Sequence, residues 1–238
     1  MRHILTIFGK QVRDTLRNGT VLIQFVMFPV MAVIMTKSVQ IEGMPPHFFI
    51  ILFATMYVGM APLTSVAAIL SEEKEKNTLR VLLMARVTPW QYLAGVGSYV
   101  FICCMLGSGV FCMLGRYTWR ERGIFLLIMA VGILTSLLLG AAIGAGSSSQ
   151  MAATSVTVPA MLFFCFLPML SMFNDTISRV AKYTYTEQLR LLLQSLETGE
   201  SALESIAVIA GNILLFSVAF VALYRRLGGY GKVLARRV

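Results

Sequence analysis

Residues able to do chemistry are concentrated in one place. Ser71 to Leu93, SEEKEKNTLRVLLMARVTPWQYL, is a charged island between apolar stretches, with no charged residue from Gly43 to Ser71 or from Val87 to Gly115. Each flanking run exceeds the ~20 residues a helix needs to cross a bilayer, so the island reads as a loop between two spans. Its chemistry is that of docking rather than catalysis. Leu79, Leu82 and Leu83 recur at i, i+3 and i+4, the spacing of a short helix with one apolar face, while Arg80 and Arg86 fall elsewhere on the turn. Glu73 and Glu75 precede that helix, and Asn77 and Thr78 are of the types that start one. A second start follows in Thr88-Pro89-Trp90-Gln91, with Thr placed to cap, Pro at the first helical position and Gln able to reach back to the cap. On pattern alone, a presented helix and an ordinary solvated loop obeying the positive-inside bias fit equally well.

The chemistry that is missing narrows the function. No G-x-x-x-x-G-K-[ST] run occurs: Gly231-Lys232 is preceded at the required spacing by Arg226 and followed by Val233, so no loop is expected to cradle nucleotide phosphates. Histidine occurs only at His3 and His47, outside the apolar runs, which leaves an intramembrane serine protease or a His-ligated metal site without parts. Cys103, Cys104, Cys112 and Cys165 lie within apolar runs, offer neither zinc spacing nor a disulfide framework, and read as small core residues. The inferred span cores lack Asp, Glu, Lys and Arg, the groups that proton-driven carriers and voltage sensors need inside the membrane. Sodium sites built from carbonyls and hydroxyls would need none of them. No catalytic residue and no metal site is expected.

The run Glu-Lys-Glu-Lys-Asn-Thr-Leu-Arg-Val-Leu-Leu from Glu73, with Thr-Pro-Trp-Gln-Tyr-Leu-Ala-Gly ending at Gly95, resembles the first cytoplasmic loop of six-span permeases of the second class of ATP-binding-cassette (ABC) exporters. The resemblance implies that this loop carries a coupling helix resting on an ATPase subunit, with Glu73, Glu75, Asn77, Thr78, Leu79, Arg80, Leu82 and Leu83 as the coupling residues. The family commonly has Gly where this chain has Asn77; Asn also tolerates the left-handed conformation that ends a helix. Two permeases, identical or homologous, with two separate ATPases are implied, together with a path at the permease interface. So is outward movement of a lipophilic drug, antimicrobial peptide, lipid or lipid-linked glycan across a prokaryotic inner or plasma membrane. ATP and Mg would sit on the ATPases, leaving this chain without a cofactor.

The elements that must position this loop are membrane helices. With 57% hydrophobic and 13% charged residues, against about 25% charged in soluble domains, the chain reads as an all-α polytopic membrane protein. Its net charge of +9 belongs beside lipid headgroups rather than nucleic acid, which is rejected as a partner. In the first 19 residues Ile4, Leu5, Phe8, Val12 and Leu16 share a face, as in a helix lying on the headgroups; no small-x-small cleavage site marks a signal peptide. Uncharged runs place six spans at 20–36, 48–70, 92–114, 123–145, 151–172 and 205–224, with a coupling loop at 71–91. Gly144 and Gly146 to Gln150 supply the turn between the fourth and fifth, and Pro159 and Pro168 are expected to interrupt the fifth. Residues 173–204 read as an extracellular amphipathic segment, striped by Leu189, Leu192, Leu193 and Leu196; in the resembled family the corresponding stretch is an outer-leaflet element that helps close the exit side.

Alternate connections carry 13 and 7 Lys plus Arg, and the larger set, which includes both termini and the Ser71 island, is placed in the cytoplasm. Tail residues Arg225, Arg226, Lys232, Arg236 and Arg237 read as anchors to anionic lipid. The Gly140-x-x-x-Gly144 motif suits close packing, more often within a subunit than across a dimer seam, and Thr154, Ser155 and Thr157 can bond across an interface. Phe163, Phe164 and Phe166 read first as core or lipid-facing; with Thr157 they are also the candidates for lining a hydrophobic substrate path. An ATPase-independent carrier or channel and a non-transporting scaffold remain the rival readings. Without a phosphate-cradling loop, the purified chain alone is expected to show no ATP turnover above a mock preparation; robust hydrolysis by the isolated chain would overturn this reading.

Overall fold

A chain this apolar must satisfy its backbone polar groups within each segment wherever it meets lipid, and helices do so. The computed structural model describes residues 19–39, 47–76, 89–198 and 203–234, with residues 9, 43 and 45, and among these it contains helices and no strand. The helices are α1 (Gly19–Ser38), α2 (Phe48–Glu75), α3 (Pro89–Leu114), α4 (Trp119–Gly146), α5 (Gln150–Ser171), α6 (Asp175–Ala181), α7 (Tyr185–Thr198) and α8 (Leu203–Leu234). Five of them, α2 to α5 and α8, are long and apolar enough to cross a membrane, and the apolar stretch Leu22–Ser38 of α1 occupies the position of the first span. The chain is thus an all-helical, polytopic membrane protein. The expected interfacial helix lies outside the described residues.

Local chemistry sets the helix ends. Thr118 opens α4 with a capping box: its hydroxyl accepts from Glu121 N, and Glu121 Oε2 accepts from Thr118 N at 2.8 Å. The helix therefore starts four residues before the uncharged run at Gly123. α3 begins at Pro89, as expected of a proline at the first helical position. α2 continues through Glu75, because Ser-Glu-Glu-Lys-Glu contains no breaker, so the start of the charged island prolongs a span. The α4–α5 turn is residues 147–149, and Ser149 caps α5 by accepting from Ala152 N at 3.2 Å. α8 runs ten residues past Tyr224, taking Arg225, Arg226 and Lys232 into the helix.

α2 is the central helix and packs against α1, α3, α4, α5 and α7. Small residues set the approach of α4: a Cβ at Gly140 would lie 2.4 Å from the Leu63 carbonyl oxygen, and one at Gly144 would lie 2.8 Å from Leu70 Cβ. The Gly140-x-x-x-Gly144 motif therefore packs within the subunit. Tyr57, fully buried, packs its ring tilted against Phe111 of α3, with centroids 5.6 Å apart. On α5, Thr154 and Ser155 donate to the carbonyls of Gln150 and Ala152 of their own helix rather than across a seam.

Prolines shape the polar interior. Pro159 and Pro168 do not interrupt α5, which stays helical from Gln150 to Ser171. Pro168 lacks the N–H that would bond the Phe164 carbonyl, and that oxygen instead faces Gly59 of α2, where a Cβ would lie only 2.8 Å away. Pro62 frees the Val58 carbonyl in the same way, and Ser136 of α4 donates its hydroxyl to it at 2.6 Å. With that hydrogen committed, the Tyr185 hydroxyl of α7 donates to Ser136 Oγ at 2.8 Å.

That bond places the stretch expected to be an extracellular amphipathic segment, 173–204, against the bundle. The stretch folds back into the bundle as α6, a turn at residues 182–184, and α7, whose first six residues, Tyr185 to Arg190, are buried. Ser136 is ten residues, ~15 Å, from the end of α4, so Tyr185 reaches about half the depth of a ~30 Å hydrocarbon core. Ser136→Ala would strand the Val58 carbonyl and the Tyr185 hydroxyl. A loss of about 1–3 kcal/mol is expected in denaturant unfolding of the detergent-purified chain, and an unchanged midpoint would show that the bond carries nothing.

Candidate functional site

The charged island is joined to the bundle at its base. In the last turn of α2, Lys74 Nζ donates to the carbonyl of Ala145 at 3.0 Å and also to that of Ser147, and Glu75 Oε2 accepts from Gln150 N at 2.7 Å. The cation thus sits on the C-terminal carbonyls of α4 and the anion on the N-terminal amides of α5, which is the sense favoured by both helix dipoles. Two consecutive side chains grip both sides of one three-residue turn. Glu73, one position earlier, is 5% exposed and lies near the Tyr224 phenol of α8. Glu72 and Lys76 form an exposed i, i+4 pair at 2.5 Å, of a kind that contributes little. The end of α2 is therefore tied to α4 and α5 through two consecutive charged residues. Asn77, Thr78, Leu79, Arg80, Leu82 and Leu83 lie outside the described residues.

A second polar cluster lies where α5, α6 and α7 meet. Glu187 and Arg190, 2% and 9% exposed, pair in two-pronged fashion: Arg190 Nη2 donates to Glu187 Oε1 at 2.6 Å and Nε to Oε2 at 3.1 Å. Ser171 Oγ, at the end of α5, donates to Glu187 Oε2 at 2.8 Å, and Arg190 Nη1 donates to Gln194 Oε1 at 2.8 Å. Gln188 Nε2 donates to the Lys182 carbonyl and closes the turn below. This network ties the folded-back segment to α5, just as Tyr185 ties it to α4.

The four residues expected to line a substrate path separate. Phe163 and Phe166 are 46% and 40% exposed, on the outer face of α5 with Leu162 and Leu170. Phe164 turns inward, its ring 5.0 Å from Tyr185 and 6.3 Å from Phe216 of α8. Thr157 is buried, and its hydroxyl has no hydrogen-bond partner among the described residues.

Lys74, Ser136, Tyr185 and the Glu187–Arg190 pair were not singled out from the sequence. The i, i+3 spacing of Glu187 and Arg190 and the proline four residues after Val58 were the available signals. Removing one member of the buried pair leaves the other charge unanswered, so Arg190→Met is expected to destabilise the chain by about 3–5 kcal/mol. Adding Glu187→Leu should recover most of that loss in a double-mutant cycle, and additive losses would mean that the pair is not coupled.

The family model described as ABC-2 family transporter protein covers residues 3–225. No curated protein matches the chain.

Proposed function

Because the chain belongs to the ABC-2 family of transporter proteins, as the match over residues 3–225 establishes, we propose that it is the permease subunit of an ABC exporter. It moves a lipophilic or amphipathic substrate outward, driven by ATP hydrolysed on a separate ABC ATPase that carries the nucleotide and Mg. A second permease, identical or homologous, completes the path. The observation that supports coupling through the island is the grip of Lys74 and Glu75 on the α4–α5 turn. A push on the loop beyond α2 is delivered through packed, charged contacts to two further spans, and coupling requires such an element with two arrangements that both sites bias.

The substrate path runs along the exposed face of α5 that carries Phe163 and Phe166, whereas the inward Phe164 and the buried Thr157 shape that helix from behind. Both termini and the Ser71 island face the cytoplasm of a prokaryotic cell. Arg179, Lys182 and Arg190 belong to the folded-back segment, so removing them from the outer loops sharpens the positive-inside bias.

Within the loop, Leu79, Leu82 and Leu83 fill a groove on the ATPase, with Glu73, Glu75 and Arg80 setting register around it. Replacing Leu82 and Leu83 by Asp removes apolar burial of about 1.5–3 kcal/mol per side chain and buries unpaired charge, while the spans still insert. The ATPase should then fail to co-purify, or ATP turnover and vesicle transport should separate. Phe163→Ala should instead change which substrates are moved and leave the ATPase bound. An Asp variant that holds its ATPase and transports like the parent would remove the support for this reading.

A further inference from the structure

Pro62, Pro159 and Pro168 each remove one amide from the hydrogen-bond ladder of a span. The carbonyls freed by Pro62 and Pro168 turn inward, to Ser136 and to Gly59. Pro159 frees the carbonyl of Ser155, and here both residues are exposed on the outer face of α5. The hydroxyls beside that carbonyl share its character. Thr154 Oγ1 donates to the Gln150 carbonyl at 2.9 Å and Ser155 Oγ to the Ala152 carbonyl at 2.8 Å, while both residues are exposed. Their hydrogens are spent within the helix and their lone pairs are left over. The notch therefore presents three oxygens able to accept a hydrogen bond and no hydrogen of its own to give.

Its position adds a second constraint. Ser155 is five residues, ~8 Å, along α5 from Gln150, in a helix of 22 residues, ~33 Å, that spans the whole ~30 Å hydrocarbon core. Acyl chains offer no donor at that depth. Ser155, Pro159, Leu162, Phe166 and Leu170 follow one another at i, i+4, i+7, i+11 and i+15, and all five are exposed, so notch and apolar surface form one stripe. From Ser155 to Phe166 the stripe runs ~16 Å, about the depth of one leaflet. With its acceptors toward the Gln150 end and its apolar side chains toward mid-membrane, it matches an amphiphile standing in the leaflet on the α4–α5 turn side.

We propose that the notch at Thr154, Ser155 and Pro159 binds the hydrogen-bond-donating end, a hydroxyl or an amide N–H, of an amphiphile whose apolar part lies along Leu162, Phe166 and Leu170. The inference rests on the permease reading, since it makes that amphiphile the cargo. It adds a selection rule to that reading: an analogue of the same shape whose polar end only accepts leaves the notch unanswered and is rejected.

The test is photolabelling of the full chain, co-purified with its ATPase in phosphatidylcholine nanodiscs, by dodecyl glucoside carrying a diazirine at the end of its chain. The phosphatidylcholine headgroup holds no donor and so does not compete. Mass spectrometry is expected to place a saturable adduct between Leu162 and Leu170. Unlabelled dodecyl glucoside should displace it, whereas the per-O-methyl ether, which keeps every oxygen and loses every donor, should require about tenfold more in the disc. Ser155→Ala with Pro159→Ala removes one hydroxyl and returns an amide to the Ser155 carbonyl, and about tenfold weaker labelling is expected of it. Both changes favour the helix, which separates lost binding from misfolding. Weaker labelling in discs containing phosphatidylglycerol, whose glycerol hydroxyls donate, supports the site and identifies membrane lipid as a source of the same group. Equal displacement by the ether, parent-like labelling of the double variant, or a parent chain that takes no label because a second copy covers α5, overturns it. ATPase co-purification is scored on the same samples: its absence with labelling retained sinks the permease reading and spares the site, and the reverse sinks the site alone.

Discussion

One freed carbonyl organises the middle of this protein. Proline at position 62 removes the amide that would close the α-helical bond to Val58, and in hydrocarbon an unanswered carbonyl costs several kcal/mol. Ser136 answers it from α4, and once its hydrogen is committed the same oxygen can accept from Tyr185. A proline in one span thereby fixes the depth at which a later segment turns back on itself. The neighbouring contacts follow the same logic, since Pro168 frees the Phe164 carbonyl and Gly59 admits it against α2. Side chains that look like helix breakers in the sequence serve here as the source of the polar joints between helices.

α2 connects these joints to the charged island. Its middle holds α4, α5 and, through Ser136, the tip of the folded-back segment; its last turn holds the α4–α5 connection through Lys74 and Glu75. A helix of 28 residues with partners at both levels behaves as a lever rather than as a tether. In the proposed exporter, motion imposed at the loop reaches α5 twice, at its N-terminus by way of Glu75 and at its middle through the Gly59–Phe164 contact. The buried Ser171–Glu187 hydrogen bond then keeps α7 fixed to the end of α5, so that the hairpin moves with that helix.

Much of the frame was legible in the sequence because hydrophobic runs of span length leave few alternatives. The starts of α2 and α3 and the use of Gly140 and Gly144 for packing inside the subunit follow from local chemistry that a sequence displays. How far the 173–204 segment packs into the bundle was not legible, for a physical reason. Its charges and its leucine stripe suit a helix lying at a surface, and nothing in the segment itself announces that its polar groups are satisfied in pairs or by partners 49 residues away, as Tyr185 is by Ser136. The same blindness applied to Phe163, Phe164 and Phe166: adjacent aromatic residues on a helix point in different directions, and only packing shows which of them faces the core.

Whether the segment folds back to mid-depth is decided most directly by cross-linking it there. A Cβ at Gly132 of α4 would lie 3.3 Å from Leu189 Cγ of α7, close enough for paired cysteines to reach the ~3.5–4.5 Å Cβ separation of a disulfide. Gly132→Cys with Leu189→Cys, oxidised in native membranes, is expected to form an intramolecular disulfide resolved as a mobility shift. No disulfide, together with ready labelling of Cys at 189 by a membrane-impermeant reagent, would place α7 on the surface and contradict the folded-back arrangement.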